Sequence, residues 1–226
     1  MQEEDEITKR MESMGFGGLP EGWKPVGNCW VFARKSNGWY KAHLVAQAFT
    51  QAFGIDYQDT FSSVAHFEMF CKLMALMALH NWELEALDVK TAFLYGNLDK
   101  EIYMRQPEGF VIKGQEKQVC QQKKSLYGLK QAALQWNKKL HKSLLEMGFN
   151  HTYADPGTYV KFIDKEIIII FVYVDDALFT DSNPKLLSSH KKQFMKQWES
   201  RDLGKAKEYL GIQIIWDHKR KMITLD

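Results

Sequence analysis

Cysteine is scarce: Cys29, Cys71 and Cys120 lie far apart and form no CxxC pair. That spacing excludes a disulfide framework and a cysteine-based zinc site, and free thiols suit a reducing intracellular setting. Long hydrophobic runs are missing too. The longest, Ile167 to Val174, is eight residues, against the roughly 20 that a membrane-crossing helix needs. The amino terminus, MQEEDEITKR, is acidic and holds no apolar signal region. A formal net charge of +2 is too small to select a partner, so partner choice has to be read from local clusters. No internal repeat is apparent.

What is there is an ordinary globular composition. With 226 residues, 45% hydrophobic and 26% charged, the chain can bury a core as one large domain or two small subdomains. Residues 1 to 21 are polar and then glycine-rich and read as a flexible leader. CWVFARKSNGWYKAHLVAQAF reads as two strands about a Ser36-Asn37-Gly38 turn. Phe67, Phe70, Met74, Met77 and Ala78 recur at helical spacing, predicting an amphipathic helix from Phe67 to Trp82.

ELEALDV predicts a strand that ends near Asp88 and passes into a short helical turn, and EIYMRQPEGF a strand closed by Pro107 and Gly109. Leu129, Ala133, Trp136, Leu140, Leu144 and Met147 predict a long helix with Gly148 at its end. TYVKF, IIIIFVYV and ALFT predict successive strands, Asn183-Pro184 caps and opens a further helix, and YLGIQIIWD with KMITL predicts a closing hairpin pair. Strands and helices mix without regular alternation, so the expected class is α+β.

One stretch carries chemistry. FVYVDDALFT sets Asp175 and Asp176 at the tip between two apolar strands. Adjacent Asp residues often serve turns by bonding nearby backbone, and that reading stays open. Two like charges this close repel, however, and a divalent cation resolves the conflict. LDVKTAF puts Asp88 at the end of another apolar strand. If the two strands are neighbours, three carboxylates converge, and carboxylate oxygens are what Mg²⁺ prefers, with water and substrate phosphates in the remaining positions. Phosphoryl or nucleotidyl transfer by paired ions is the chemistry such a cluster suits.

LDVKTAFLYGNLDKEIYMRQPEGF, KKSLYGLKQAALQW and FVYVDDALF, in this order and spacing, closely resemble the reverse transcriptase of copia-type LTR retrotransposons. YKAHLVAQAFTQAFGIDYQDTFSSV upstream and DLGKAKEYLGIQI downstream belong to the same pattern, so the likeness covers roughly residues 20 to 226. The resemblance implies a right-hand polymerase fold, with fingers and a palm built on a ferredoxin-like antiparallel sheet and with the thumb largely absent. Fingers are expected over 22 to 81 and 98 to 147, and palm over 82 to 97 and 148 to 226. It implies Asp88 and Asp175 as ligands of two Mg²⁺ or Mn²⁺ ions, with Asp176 beside them as the third acid.

The resemblance also implies that Phe93 blocks a ribose 2′-hydroxyl, although a core aromatic at that position is an open alternative. Lys41, His43, Tyr127, Gly128 and Lys130 are the further nucleotide-binding candidates it supplies. Lys123, Lys124 and Lys130 would otherwise read as a solvated face. Tyr173 is expected under the primer end, and Leu210 and Gly211 in a hairpin that grips the primer. The implied partners are an RNA or DNA template with annealed primer and dNTPs, with no membrane. The implied setting is cytoplasmic, in a virus-like particle for an active element.

Some positions depart from the pattern. His43 stands where the family has an arginine, and a histidine, mostly neutral at pH 7, replaces a permanently charged bidentate phosphate donor. Ala48 replaces a glycine, costly if that backbone needs positive φ. Cys71 replaces an arginine, Ser63 a proline, and Ala132-Ala133 a Ser-Pro pair. Two readings follow: an RNA-directed DNA polymerase domain, or a remnant without activity that only binds nucleic acid. A small-molecule phosphate enzyme with the same acids would leave the flanking blocks unexplained.

Overall fold

The structure, a computed structural model, describes residues 14–34, 38 and 40–226, the side chain of Lys41 excepted. Its strands are β1 (Met14–Gly17), β2 (Asn28–Arg34), β3 (Tyr40–Ala46), β4 (Glu83–Val89), β5 (Asn97–Arg105), β6 (Val119–Lys124) and β7 (Asn150–His151). They continue as β8 (Thr158–Ile163), β9 (Glu166–Tyr173), β10 (Asp176–Asp181), β11 (Ser200–Lys205), β12 (Glu208–Tyr209), β13 (Ile212–Asp217) and β14 (Met222–Leu225). The helices are α1 (Phe67–His80), α2 (Ala132–Glu146) and α3 (Pro184–Gln197). All strand pairings within the sheets are antiparallel, so the class is mixed α and β, as the irregular alternation of elements led us to expect.

The chain divides into two compact units, one formed by residues up to 62 with 91–139, the other by 63–90 with 140–226. The breaks between the units fall at 62/63, 90/91 and 139/140. α1 belongs to the second unit because it buries Phe70, Leu73, Met74 and Met77 in that unit's core.

In the first unit, β1, β6 and β5 form a sheet in that order, and β2 pairs with β3 as a hairpin. The glycine-rich leader is thus corrected over Met14–Gly17, which pair with Val119 to Gln122 and bury Met14; residues 1–13 lie outside the described set. Of the expected Ser36-Asn37-Gly38 turn only Gly38 is described, at φ 86.

The second unit centres on a six-stranded sheet of order β11-β4-β10-β9-β8-β7. β9 is internal and covered on both faces, which is why its sequence is a continuous apolar run rather than an alternating one. Ile168 and Ile170 reach one face at 0% exposure while Phe171 packs in the α1 cluster on the other. That cluster joins Leu84, Ala86, Phe171 and Leu178 to α1 and to Tyr209 and Ile214 of the small β12-β13-β14 sheet. On the reverse face, Phe194 of α3 meets Phe179 edge-on with ring centroids 5.3 Å apart.

Helix ends follow local chemistry. Asn183 caps α3 by accepting from the Lys185 N–H, with Pro184 in the first turn. Gly148 at φ 85 closes α2: its N–H donates to Leu145 O, and Phe149 N–H donates to Leu144 O. α1 ends at His80, two residues before the expected end, because Asn81 takes the left-handed region at φ 57, a conformation that Asn tolerates. Phe67 opens α1 yet stays 58% exposed. The expected strand YLGIQIIWD is broken by a two-residue turn, Leu210 (φ 51) and Gly211 (φ 82), that folds β12 onto β13.

Candidate functional site

The apolar alternation of the six-stranded sheet ends in acids. On β4, Leu84 and Ala86 face the α1 cluster, so Asp88, two residues on, faces the same side past the end of that cover. β10 runs antiparallel beside it, with Asp176 directly opposite Asp88, Ala177 opposite Leu87 and Leu178 opposite Ala86. On the other side of β10, Asp176 stands opposite Tyr173 of β9. Val174 and Asp175 are therefore the two residues of a tight hairpin turn. Val174 adopts φ 57, a left-handed value that a β-branched side chain rarely takes and that persists only where its surroundings impose it. The Val89 N–H donates to the Asp175 carbonyl at 2.8 Å, tying the turn to the end of β4.

The structure thus brings Asp88, Asp175 and Asp176 to one end of one sheet. Burial pushes the Asp176 carboxyl up to about 6, and the charges of Asp175 and then Asp88 push it the same way. Among the described residues, no three His, Cys, Asp or Glu side chains by themselves cage a metal. An open set suits Mg²⁺, which takes one or two carboxylates and keeps water and phosphate oxygens for the rest. Asp88 and Asp175 fit that donor set, and the mutual repulsion felt at Asp176 is the kind a cation relieves.

Two residues at this site went unread in the sequence. Arg201 of β11 stands directly opposite Asp88 on the strand's other edge. SRDLGK has a single large apolar residue and no alternation, and a bulge between Asp202 and Gly204 interrupts its register, so no periodic signal marks β11. Tyr209 is buried, stacks on Phe70 at 5.5 Å, and donates its hydroxyl to the Asp176 carbonyl at 3.3 Å. Burial, and after it the Asp176 charge, pushes its phenol well above the ordinary range, so it remains a donor. Tyr209 immediately precedes the Leu210-Gly211 turn, which it anchors beneath the acids, while Leu210 itself is 47% exposed.

The remaining candidates lie in the first unit. Tyr127 is the hub: its ring meets Phe93 edge-on at 4.4 Å and His43 at 5.8 Å, and its carbonyl accepts from the Ala46 N–H at 2.8 Å. Gly128 allows that approach. It sits at φ 90, and a Cβ there would lie 2.1 Å from the Ala46 carbonyl oxygen. Lys130 donates Nζ to the Tyr57 hydroxyl at 2.9 Å, and its N–H bonds the Gln51 side chain. Lys41 pairs through its backbone with Ala33. Ala48 opens a short 3-10 turn (Ala48–Thr50) and is not among the described residues with positive φ, so the cost foreseen for replacing glycine does not arise. Among the described residues no helix is long and apolar enough to cross a membrane.

Comparison with known proteins gives a consistent result. The family described as "Reverse transcriptase (RNA-dependent DNA polymerase)" matches residues 13–225. The retrovirus-related Pol polyprotein from transposon TNT 1-94 of Nicotiana tabacum is 39% identical over 231 residues, covering 100% of this chain and 17% of the relative. The Pol polyprotein from transposon RE1 of Arabidopsis thaliana is 36% identical, covering 83% of this chain and 13% of the relative. A putative transposon Ty5-1 protein of Saccharomyces cerevisiae is 38% identical over 57% of this chain. The chain therefore spans less than a fifth of the length of the two plant polyproteins it matches.

Proposed function

The chain belongs to the reverse transcriptase (RNA-dependent DNA polymerase) family, of the copia-type retrotransposon kind, and on that premise we propose that it catalyses template-directed nucleotidyl transfer. The substrates are dNTPs and a primer annealed to an RNA or DNA template. The six-stranded unit serves as palm and the other unit as fingers. The observation that carries the reading is the convergence of Asp88, Asp175 and Asp176 at one sheet end, where burial and mutual repulsion raise the Asp176 carboxyl.

Asp88 and Asp175, with Asp176 beside them, would hold divalent cations, which would supply charge neutralisation and activation of the attacking oxygen. The protein's own groups do the positioning. The strained Val174 turn and its bond to Val89 fix Asp175 beside Asp88, and Tyr209 holds the Asp176 backbone from below. The exposed ring of Tyr173, one strand over from Asp176, offers a surface for the primer end, and the Leu210-Gly211 turn offers a backbone grip. Phe93 against Tyr127 is the candidate wall that screens the sugar, and His43, Gly128 and Lys130 of the same unit, with Lys41, are the nucleotide-binding candidates. Incorporation of a dNTP onto an annealed primer by the wild-type chain, lost in Asp175→Asn, tests the reading. Absence of incorporation by the wild-type chain fused to a thumb of the same family sinks it.

One observation favours a second reading, a nucleic-acid-binding remnant. His43, packed beside Tyr127, puts an imidazole where the family pattern has the planar, five-donor guanidinium of an arginine. His43→Arg separates the two: a gain in incorporation rate marks an impaired enzyme, and no gain alongside salt-sensitive binding marks the remnant.

A further inference from the structure

The end of the six-stranded sheet carries a rung that crosses four strands. Tyr173 of β9 is opposite Asp176 of β10, Asp176 is opposite Asp88 of β4, and Asp88 is opposite Arg201 of β11. Directly opposed residues in an antiparallel sheet point to the same face, and neighbouring strands stand about 4.8 Å apart. One face therefore presents, in a line, an aromatic ring, two carboxylates and a guanidinium.

Arg201 is the uncommitted cation of that strand. Glu199 is taken by Lys90 at 3.0 Å, and Asp202 by Lys191 at 2.6 Å, whereas Arg201 is exposed and makes no ion pair within 4.0 Å among the described residues. Its neighbours hold it in register. The Lys90 N–H donates to the Glu199 carbonyl at 2.8 Å, fixing β11 to the end of β4 on one side of Arg201. On the other side, buried Lys191 reaches from α3 to both Glu85 of β4 and Asp202 of β11. Two cross-strand clamps thus bracket a charge that neither uses.

Resting on the polymerase reading, we infer that Arg201 binds the β- and γ-phosphates of the incoming nucleotide and the pyrophosphate that leaves. In an in-line displacement the attacking and leaving oxygens lie on opposite sides of the α-phosphorus. With the primer end at Tyr173 and the α-phosphate over the acids, the leaving group falls at the far end of the rung, where Arg201 stands. The primer 3′-oxygen forms the new bond to the α-phosphorus and its proton passes to solvent. The bond from that phosphorus to the bridging oxygen breaks, and the electron pair departs on pyrophosphate. A guanidinium, always charged and able to bond two phosphate oxygens at once, meets that charge without exchanging a proton.

The test compares wild type, Arg201→Gln and Arg201→Lys, with Arg220→Gln, on an exposed turn, as control. Calorimetric titration with inorganic pyrophosphate in Mg²⁺ reads binding without turnover. Arg201→Gln is expected to bind about tenfold more weakly or worse, Arg201→Lys to recover part of the loss, and Arg220→Gln to match wild type. In primer extension, Arg201→Gln is expected to raise KM for dNTP and weaken product inhibition by pyrophosphate. Equal pyrophosphate affinity in wild type and Arg201→Gln, or none in wild type, overturns the inference even if both extend primers. Arg201-dependent pyrophosphate binding in a wild-type chain that never extends a primer upholds the anion site and overturns the polymerase reading instead.

Discussion

Asp176→Asn should make the metal-free protein more stable while removing a carboxylate from the site. The Asp176 carboxyl is raised from an ordinary 3.8 to about 6 by burial, by Asp175 and by Asp88. At 1.36 kcal/mol per pKa unit that corresponds to an unscreened cost of about 3 kcal/mol for the ionised form. The side chain is only half-buried, and solvent screening brings the figure to about 1–1.5 kcal/mol. The sign follows from linkage. A carboxyl whose folded value is raised contributes its stability fully below about 3.8 and loses it as pH climbs through about 6.

Thermal unfolding in EDTA should therefore show Asp176→Asn about 2–6 °C above wild type at pH 7.5, for a chain of this size. The gap should close towards pH 4, where both residues are neutral. Millimolar Mg²⁺ at pH 7.5 should raise the wild-type Tm more than that of the variant. A variant less stable than wild type at pH 7.5, or a gap independent of pH, would refute the reasoning, because neither outcome is compatible with a carboxylate strained by its neighbours.

Gly128→Ala should lower Tm by several degrees more than Gly109→Ala. Both positions have positive φ, but only at Gly128 does a new Cβ meet backbone, 2.1 Å from Ala46 O, whereas nothing lies within 4 Å at Gly109. The difference isolates a clash costing about 1–3 kcal/mol, and equal shifts in thermal melts would show that Gly128 is not close-packed. Phe93→Ala should raise incorporation of ribonucleotides relative to deoxynucleotides by about tenfold or more, as steric exclusion within a pocket allows. Unchanged selectivity would return Phe93 to the role of a core aromatic packed on Tyr127.

Much of the site was legible because its residues sit at the ends of strongly patterned elements. The apolar run before Asp175 and the strand before Asp88 announce buried strands whose last residues are acidic, and only their adjacency needed coordinates. Pairing supplied it, since the register that sets Leu178 opposite Ala86 also sets Asp176 opposite Asp88. The helices were legible for the same reason, with Asn183 and Gly148 marking ends through capping chemistry.

What stayed hidden lacks periodicity. β1 is MGFG and β11 is SRDLGK, and each exists because a neighbouring strand offers unpaired backbone groups, not because its side chains alternate. Arg201 was lost with its strand. The residue pattern reads straight through the Leu210-Gly211 turn because apolar residues flank it on both sides, and only the family resemblance set those two residues in a hairpin.

The most direct measurement is the rate of single-nucleotide addition to an annealed primer by Asp88→Asn, Asp175→Asn and the double variant, each beside wild type. If the two acids serve one site, either substitution alone removes nearly all activity and the double variant loses little more, since groups that act as a unit are strongly non-additive. Losses that simply multiply, or a single variant that keeps wild-type rate, would contradict a shared centre at the end of this sheet.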